Sequence, residues 1–87
     1  MRPAATAAPA SARKKLTFKE RRELDELPAR IEALETEQTQ LEATIADPGF
    51  YRNPAQTITD TLARLETVQA ALLEAMARWD TLDSRSS

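Results

Sequence analysis

The feature of this sequence that most constrains its fold is a pair of apolar repeats whose spacings alternate between three and four residues. The positions are Leu24, Leu27, Ile31, Leu34, Gln38, Leu41 and Ile45 in the first repeat and Ile58, Leu62, Leu65, Gln69, Leu72, Met76 and Trp79 in the second. This spacing is typical of the a and d positions of a left-handed coiled coil. The sequence therefore predicts two long helices, joined by a loop over residues 47–54, that pack along one seam.

The two repeats match in a single antiparallel register. Residue numbers of facing positions in an antiparallel hairpin add to a constant, which is 103 for these repeats. Ile45 then faces Ile58 beside the loop, and Leu24 faces Trp79 at the open end. One shared register favours a monomeric αα-hairpin over two helices that pair between chains. A homodimer formed by exchange of helices at the loop stays an alternative.

Two glutamines interrupt the apolar seam. Gln38 and Gln69 fall in adjacent layers of the predicted register, where their amides can meet diagonally. A buried amide pair would cost stability but penalise slipped registers. Alternatively, both side chains lie at the edge of the seam and are hydrated.

Composition narrows the classes of function. The 87 residues allow one domain at most, and one glycine with 30% charged residues fits long helices. The chain has no cysteine and no histidine, which excludes disulfides, thiolate chemistry and an ordinary transition-metal site. It shows no glycine-rich phosphate loop. We therefore expect a non-catalytic chain without a cofactor or metal, no membrane partner, and a cytoplasmic location.

Local signals predict where each element begins and ends. Residues 1–15 are predicted to be a flexible Pro/Ala linker with a basic end, because residues 1–12 hold no large apolar side chain. Thr17 and Glu20 form a capping-box pattern that starts a helix at Phe18. Pro28 is expected to break this helix, which gives a short helix over 18–27 and a second over 28–46. A third helix is expected over 54–82, with a hairpin domain over 16–83 and a disordered tail over 84–87.

The loop contains two of the four aromatic residues in the chain. We expect Phe50 to fold back and close the end of the coiled coil. Tyr51 is open to two interpretations, since it can join that closure or form an exposed tip with Arg52 that contacts a partner. Asn53 and Gln56 are expected to cap the helix that follows Pro54.

Charge is divided unevenly along the chain. Residues 1–22 hold seven Lys or Arg and one acid, whereas residues 23–87 hold five Arg and thirteen acids. We call residues 13–22 the basic segment; its cations are Arg13, Lys14, Lys15, Lys19, Arg21 and Arg22. Such a cluster can bind phosphates by counterion release, with little sequence specificity. The simpler interpretation is a solvated basic arm that balances an acidic hairpin.

Three stretches of the sequence resemble a known family. Residues 15–28 (KLTFKERRELDELP), residues 47–51 (DPGFY) and the pair Arg78 and Trp79 are similar to the C-terminal coiled-coil domain of Uup-type ABC-F ATPases. The likeness covers about residues 13–83. The family usually has tyrosine at the position of Phe18.

The resemblance implies more than the residues show by themselves. Proteins of this family carry two ATP-binding cassettes and no membrane domain, and they act on ribosomes. Their C-terminal helical hairpin contributes DNA binding. ATP and Mg would therefore belong to cassettes upstream in the same polypeptide, and the partners of this chain would be DNA, ribosomal RNA or both. A protein-interaction module that docks on the cassettes or on the ribosome is the alternative function.

Overall fold

The computed structural model of the chain describes residues 15–86. Helix α1 spans Phe18–Ala46, a single 3₁₀ turn spans Phe50–Arg52, and helix α2 spans Ala55–Ser86. The two helices pack against each other along their length as an antiparallel hairpin. The predicted all-α hairpin is therefore confirmed. The expectations for Arg13, Lys14 and the rest of the linker, and for Ser87, lie outside the described residues.

Helix α1 begins with the predicted capping box. The Thr17 hydroxyl accepts a hydrogen bond from the Glu20 backbone N–H at 3.0 Å, and a Glu20 carboxylate oxygen accepts one from the Thr17 N–H at 3.0 Å. Both bonds satisfy backbone donors that a helix start leaves without an intrahelical partner. The first turn of the helix, which carries much of the basic segment, is thereby fixed in place.

The expected break at Pro28 was wrong. The segment predicted as a separate short helix, residues 18–27, is the first ten residues of α1, and Pro28 lies inside the helix. Proline removes one intrahelical hydrogen bond, but it is exposed here, so that water can reach the Leu24 carbonyl. Leu27 is buried and Ile31 packs beside it, so seam packing on both sides of Pro28 keeps the helix continuous.

The seam on α2 differs from the predicted one. Thr61 is half-buried and Val68 and Ala75 are buried, at positions for which the sequence predicted Leu62, Gln69 and Met76. The predicted and the observed seam both start at Ile58, and in both the spacing between seam residues alternates between three and four. The observed seam continues to Leu82, which is fully buried. This path avoids burial of an amide at residue 69, which would need a hydrogen-bond partner.

The two seam glutamines do not form the proposed amide pair. Gln38 and Gln69 are half-buried, and within residues 15–86 no hydrogen bond joins their side chains. Val68 takes the buried position next to Gln69. The alternative, with both amides at the edge of the seam, therefore describes the structure.

Three ion pairs between the helices report the register. Glu37 pairs with Arg64, Glu23 with Arg78 and Glu20 with Arg85. Their residue numbers add to 101, 101 and 105, against the predicted constant of 103. The antiparallel register is therefore confirmed to within two residues.

The turn closes the hairpin through Phe50. Its side chain is only 3% exposed, whereas Tyr51 is 62% exposed, and their rings meet edge to face with centroids 4.9 Å apart. The predicted closure by Phe50 is confirmed, and Tyr51 lies at the exposed tip. The predicted cap at Asn53 was wrong, because its amide donates to the Phe50 carbonyl at 2.7 Å and Gln56 reaches forward to Asp60.

The end of α2 extends beyond the prediction. The sequence placed the helix end at residue 82 and a disordered tail after residue 83, but the helix continues to Ser86. Leu82 is buried against the open end of the hairpin, and Arg85 pairs with Glu20 on α1. These contacts stabilise one further helical turn.

Candidate functional site

The open end of the hairpin contains its main core cluster. Leu27, Ala75 and Leu82 are buried there, and five partly buried side chains pack around them: Leu16, Leu24, Ile31, Leu34 and Trp79. Leu16 lies within the basic segment, just before the capping residue Thr17. Packing of Leu16 against this cluster holds the start of the described chain against α2.

A polar clasp fixes the described part of the basic segment, residues 15–22, to the end of α2. The Glu20 carboxylate accepts two hydrogen bonds from the Arg85 guanidinium, both at 3.0 Å, in addition to its bond from the Thr17 N–H. Arg85 also donates to the Lys15 carbonyl at 3.4 Å. Both charged side chains of the clasp are less than one-third exposed. The acid within the basic segment is thus engaged by α2.

The described cations of the basic segment lie on the surface. Lys15, Lys19, Arg21 and Arg22 are all exposed, and none forms an ion pair with another residue in the range 15–86. Three of them occupy the first two turns of α1. Four positive charges are therefore exposed at the open end of the hairpin, and the Glu20 carboxylate is paired with Arg85 instead of with any of them. Arg13 and Lys14 lie outside the described residues.

The predicted tip contacts lie at the opposite end of the molecule. Tyr51 and Arg52 are both exposed in the 3₁₀ turn, with Arg52 bonded through its backbone N–H to the Gly49 carbonyl. The length of α1, 29 residues, separates them from the basic segment by about 40 Å. The structure does not bring the two predicted contact regions together.

Sequence reasoning missed two residues that organise the site. Arg85 was assigned to a disordered tail, and Leu82 was placed beyond the end of the seam. Both residues nevertheless fix the open end of the hairpin. The signal was present, because Leu82 continues the three-four spacing after Trp79 and Arg85 follows one turn later. Phe18 was predicted as the start of a helix, at a position where the family usually has tyrosine, but not as a contact residue; it is 78% exposed near the cations.

Three glutamates that pair across the hairpin have lowered pKa values. Hydrogen bonds from the Thr17 backbone and from Arg85 hold the pKa of Glu20 below its ordinary value of 4.5. Hydrogen bonds from Arg78 and Arg64 similarly lower the pKa of Glu23 and of Glu37. The folded chain thus favours the ionised form of each carboxyl.

These shifts predict the direction of acid destabilisation. A carboxyl with a lowered folded pKa contributes stability above its unfolded pKa and loses that contribution as the pH falls through the folded value. We expect the melting temperature to be steady down to about pH 5 and to fall below it. Glu20→Gln should have a lower melting temperature at pH 7 and a smaller fall between pH 5 and pH 3, since glutamine keeps the cap but not the charge.

Melting followed by circular dichroism at several pH values checks this prediction. Glu35→Gln is the matched control, because Glu35 is exposed and forms no ion pair within the described part of the chain. Its fall in melting temperature should equal that of the parent chain. An equal fall for Glu20→Gln would show that the clasp contributes nothing to acid sensitivity.

Other kinds of site find little support in the described part of the chain. No group of three or more metal-ligating side chains occurs within residues 15–86. Neither long helix is apolar enough over a sufficient stretch to cross a membrane. The grooves along the hairpin are open and lined largely by charged side chains.

Comparisons with known proteins match most of the chain. A family model described as "ABC transporter C-terminal domain" matches residues 15–84. Two proteins of Haemophilus influenzae, an "ATP-binding protein Uup-like" and an "ATP-binding protein Uup", are each 45% identical over 74 residues, which is 84% of this chain. The "ATP-binding protein Uup" of Escherichia coli is 33% identical over 70 residues, or 80% of the chain.

The matched region is a small part of each relative. The chain covers 16% of the Uup-like protein and 11% of each of the other two. No solved structure matches the chain at a significant level.

Proposed function

Because this chain belongs to the family of ABC transporter C-terminal domains found in Uup-type ATP-binding proteins, we propose that it is a nucleic-acid-binding domain of such a protein. The observation that carries the proposal is the set of four exposed cations, Lys15, Lys19, Arg21 and Arg22, without ion-pair partners among residues 15–86. Cations in this state are available to phosphates, because binding does not have to break an existing pair. Arg13 and Lys14 would add to the same cluster.

The proposed mechanism is electrostatic. The hairpin is a rigid spacer of about 45 Å that places the basic segment at one end. Binding of the segment releases counterions from DNA or ribosomal RNA, which gives affinity that depends on salt and only weakly on sequence. Residues 31–70, the half of the hairpin toward the loop, hold seven acids and two arginines, so repulsion from that half orients the polyanion toward the open end.

The domain itself would be non-catalytic. ATP and Mg would bind to cassettes in the longer cytoplasmic polypeptide, where this domain would act as a monomeric appendage with a hairpin over residues 16–83. Residues 1–15 would serve as the linker to those cassettes.

A second candidate function is docking of the hairpin on a protein. Three large apolar side chains on α2 are exposed: Leu62 at 41%, Leu73 at 70% and Met76 at 46%. They lie near one another around the helix, beside the seam that packs on α1. Such a stripe favours contact with the upstream cassettes or with a ribosomal protein.

Binding to two polymers tests the proposed function. Fluorescence anisotropy is measured with duplex DNA and with structured RNA at salt concentrations from about 50 to 200 mM. The proposal expects binding that weakens steeply as salt rises, and the tighter polymer identifies the target class. Absence of binding to both polymers at about 50 mM salt would contradict the proposal and favour docking on a protein.

A further inference from the structure

The largest exposed aromatic side chain at the open end has no role in the fold. Phe18 is the first residue of α1, and its side chain is 78% exposed. The neighbouring residues supply what the helix start needs, since Thr17 caps it and Leu16 packs on the core cluster. Phe18 is therefore exposed and lies outside the core cluster that holds the open end together.

Charged side chains, most of them cationic, lie near this aromatic ring. Phe18, Lys19 and Arg22 line one shallow groove on the outer side of α1. Arg21 is three residues from Phe18, so it lies next to the ring on the helix surface. The same groove also contains two acids, Glu26 and Glu23, and the Glu23 carboxylate is engaged by Arg78. The ring thus lies at the end of the groove nearest the start of α1, where Lys19 and Arg22 are closer to it along the helix than the two acids.

Aromatic rings interleaved with cations fit one kind of ligand better than others. A single nucleic-acid strand has exposed base faces that stack on an aromatic ring and phosphates that bind nearby cations. The internal bases of a duplex are already stacked on both faces, so a surface ring can reach them only if they unstack. Phe18 therefore adds affinity for a single strand that a duplex does not obtain.

We propose that Phe18 is a stacking platform for an unpaired base, and that the basic segment consequently prefers single-stranded nucleic acid to duplex. This proposal rests on the proposed nucleic-acid-binding function. It specifies that the same site binds single-stranded nucleic acid. Lys19, Arg21 and Arg22 bind the phosphates on either side of the stacked base. Every base has a π-face, so this preference does not depend on sequence.

Phe18→Ala tests the proposal against a matched control. The probes are a labelled single strand of twelve thymidines and a twelve-base-pair duplex, at about 100 mM salt. The control is Tyr51→Ala, which removes an exposed aromatic side chain at the other end of the hairpin. Circular dichroism checks that both variants fold, which matters for Tyr51→Ala because the Tyr51 ring contacts Phe50.

The expected result is specific to the single strand. The parent chain should bind the single strand more tightly than the duplex, and Phe18→Ala should weaken binding to the single strand about ten-fold. Its binding to the duplex should change less than two-fold, and Phe18→Trp should retain the single-strand affinity. The salt dependence should stay the same, because no charge is removed. Tyr51→Ala should leave both affinities unchanged.

Two contrary results have different meanings. If the parent chain binds nucleic acid and Phe18→Ala binds both polymers as the parent does, or weakens both equally, the stacking proposal is overturned and the electrostatic function stands. If the parent chain binds neither polymer even at about 50 mM salt, the proposed function fails and the stacking proposal fails with it. The exposed ring would then fit an apolar contact on a protein.

Discussion

Replacement of Leu82 by alanine is expected to lower the free energy of unfolding by about 2 to 5 kcal/mol. Leu82 is fully buried in the core cluster at the open end of the hairpin, with Leu27 and Ala75. Alanine would leave a cavity in the single seam between the two helices, and no second layer of side chains lies behind that seam in the described residues to fill it. Small domains have modest total stability, so this loss is a large fraction of it.

Leu73→Ala is the matched control for this prediction. It removes the same atoms from α2, but the Leu73 side chain is 70% exposed. We expect it to change the free energy of unfolding by less than about 0.5 kcal/mol. Urea unfolding followed by circular dichroism measures both variants. Equal losses for Leu73→Ala and Leu82→Ala would mean that the observed seam through Val68, Ala75 and Leu82 is not the packed one.

Neutralisation of the described basic segment is expected to remove most of the nucleic-acid affinity. The variant replaces Lys15, Lys19, Arg21 and Arg22 with glutamine. Four phosphate contacts contribute about 0.9 each to the salt slope on duplex DNA, so the slope should become shallower by about three to four. Affinity at about 50 mM salt should fall at least about a hundred-fold. Fluorescence anisotropy across the salt range measures both quantities.

The fold should not change in this variant. All four side chains are exposed and form no ion pair within the part of the chain that the structure describes. The clasp between Glu20 and Arg85 is left intact. A variant that melts as the parent does but binds equally well would exclude these residues as the contact. Tyr51 and Arg52 at the tip would then be tested next.

Periodicity in the sequence was sufficient to predict the hairpin and its approximate register. Spacings of three and four residues specify which side of a helix is apolar, and two such helices joined by a short loop have one compact arrangement. The capping box at Thr17 and the closure by Phe50 were also predicted, because each depends on local chemistry. These features need no knowledge of contacts between distant residues.

The predictions that failed depend on contacts between the helices. Local propensity favours a break at Pro28, but packing of Leu27 and Ile31 on α2 outweighs it. The two seam paths on α2 share every second position, and the predicted path followed the large apolar side chains to Met76, whereas the structure buries Ala75. A small residue at the seam lets the helices approach closely, which a ranking by hydrophobicity does not capture.

The cations of the candidate site were predicted from the sequence, but the contacts that hold them at the end of the hairpin were not. The run of cations after residue 12 is visible in the sequence, whereas the clasp joins residues 65 positions apart. Residues so distant come together only after the register is known. The exposure of Phe18, in contrast, follows from the sequence pattern, because the seam spacing extended back from Leu24 places residue 18 off the seam.

The most direct measurement of the central claim compares the salt dependence of DNA binding for two double variants. One is Arg21→Gln with Arg22→Gln in the basic segment, and the other is Arg30→Gln with Arg52→Gln, two exposed arginines elsewhere on the hairpin. Both remove the same charge. The account predicts a slope shallower by about 1.8 for the first variant and an unchanged slope for the second. Equal changes in the two variants, or no change in either, would contradict it.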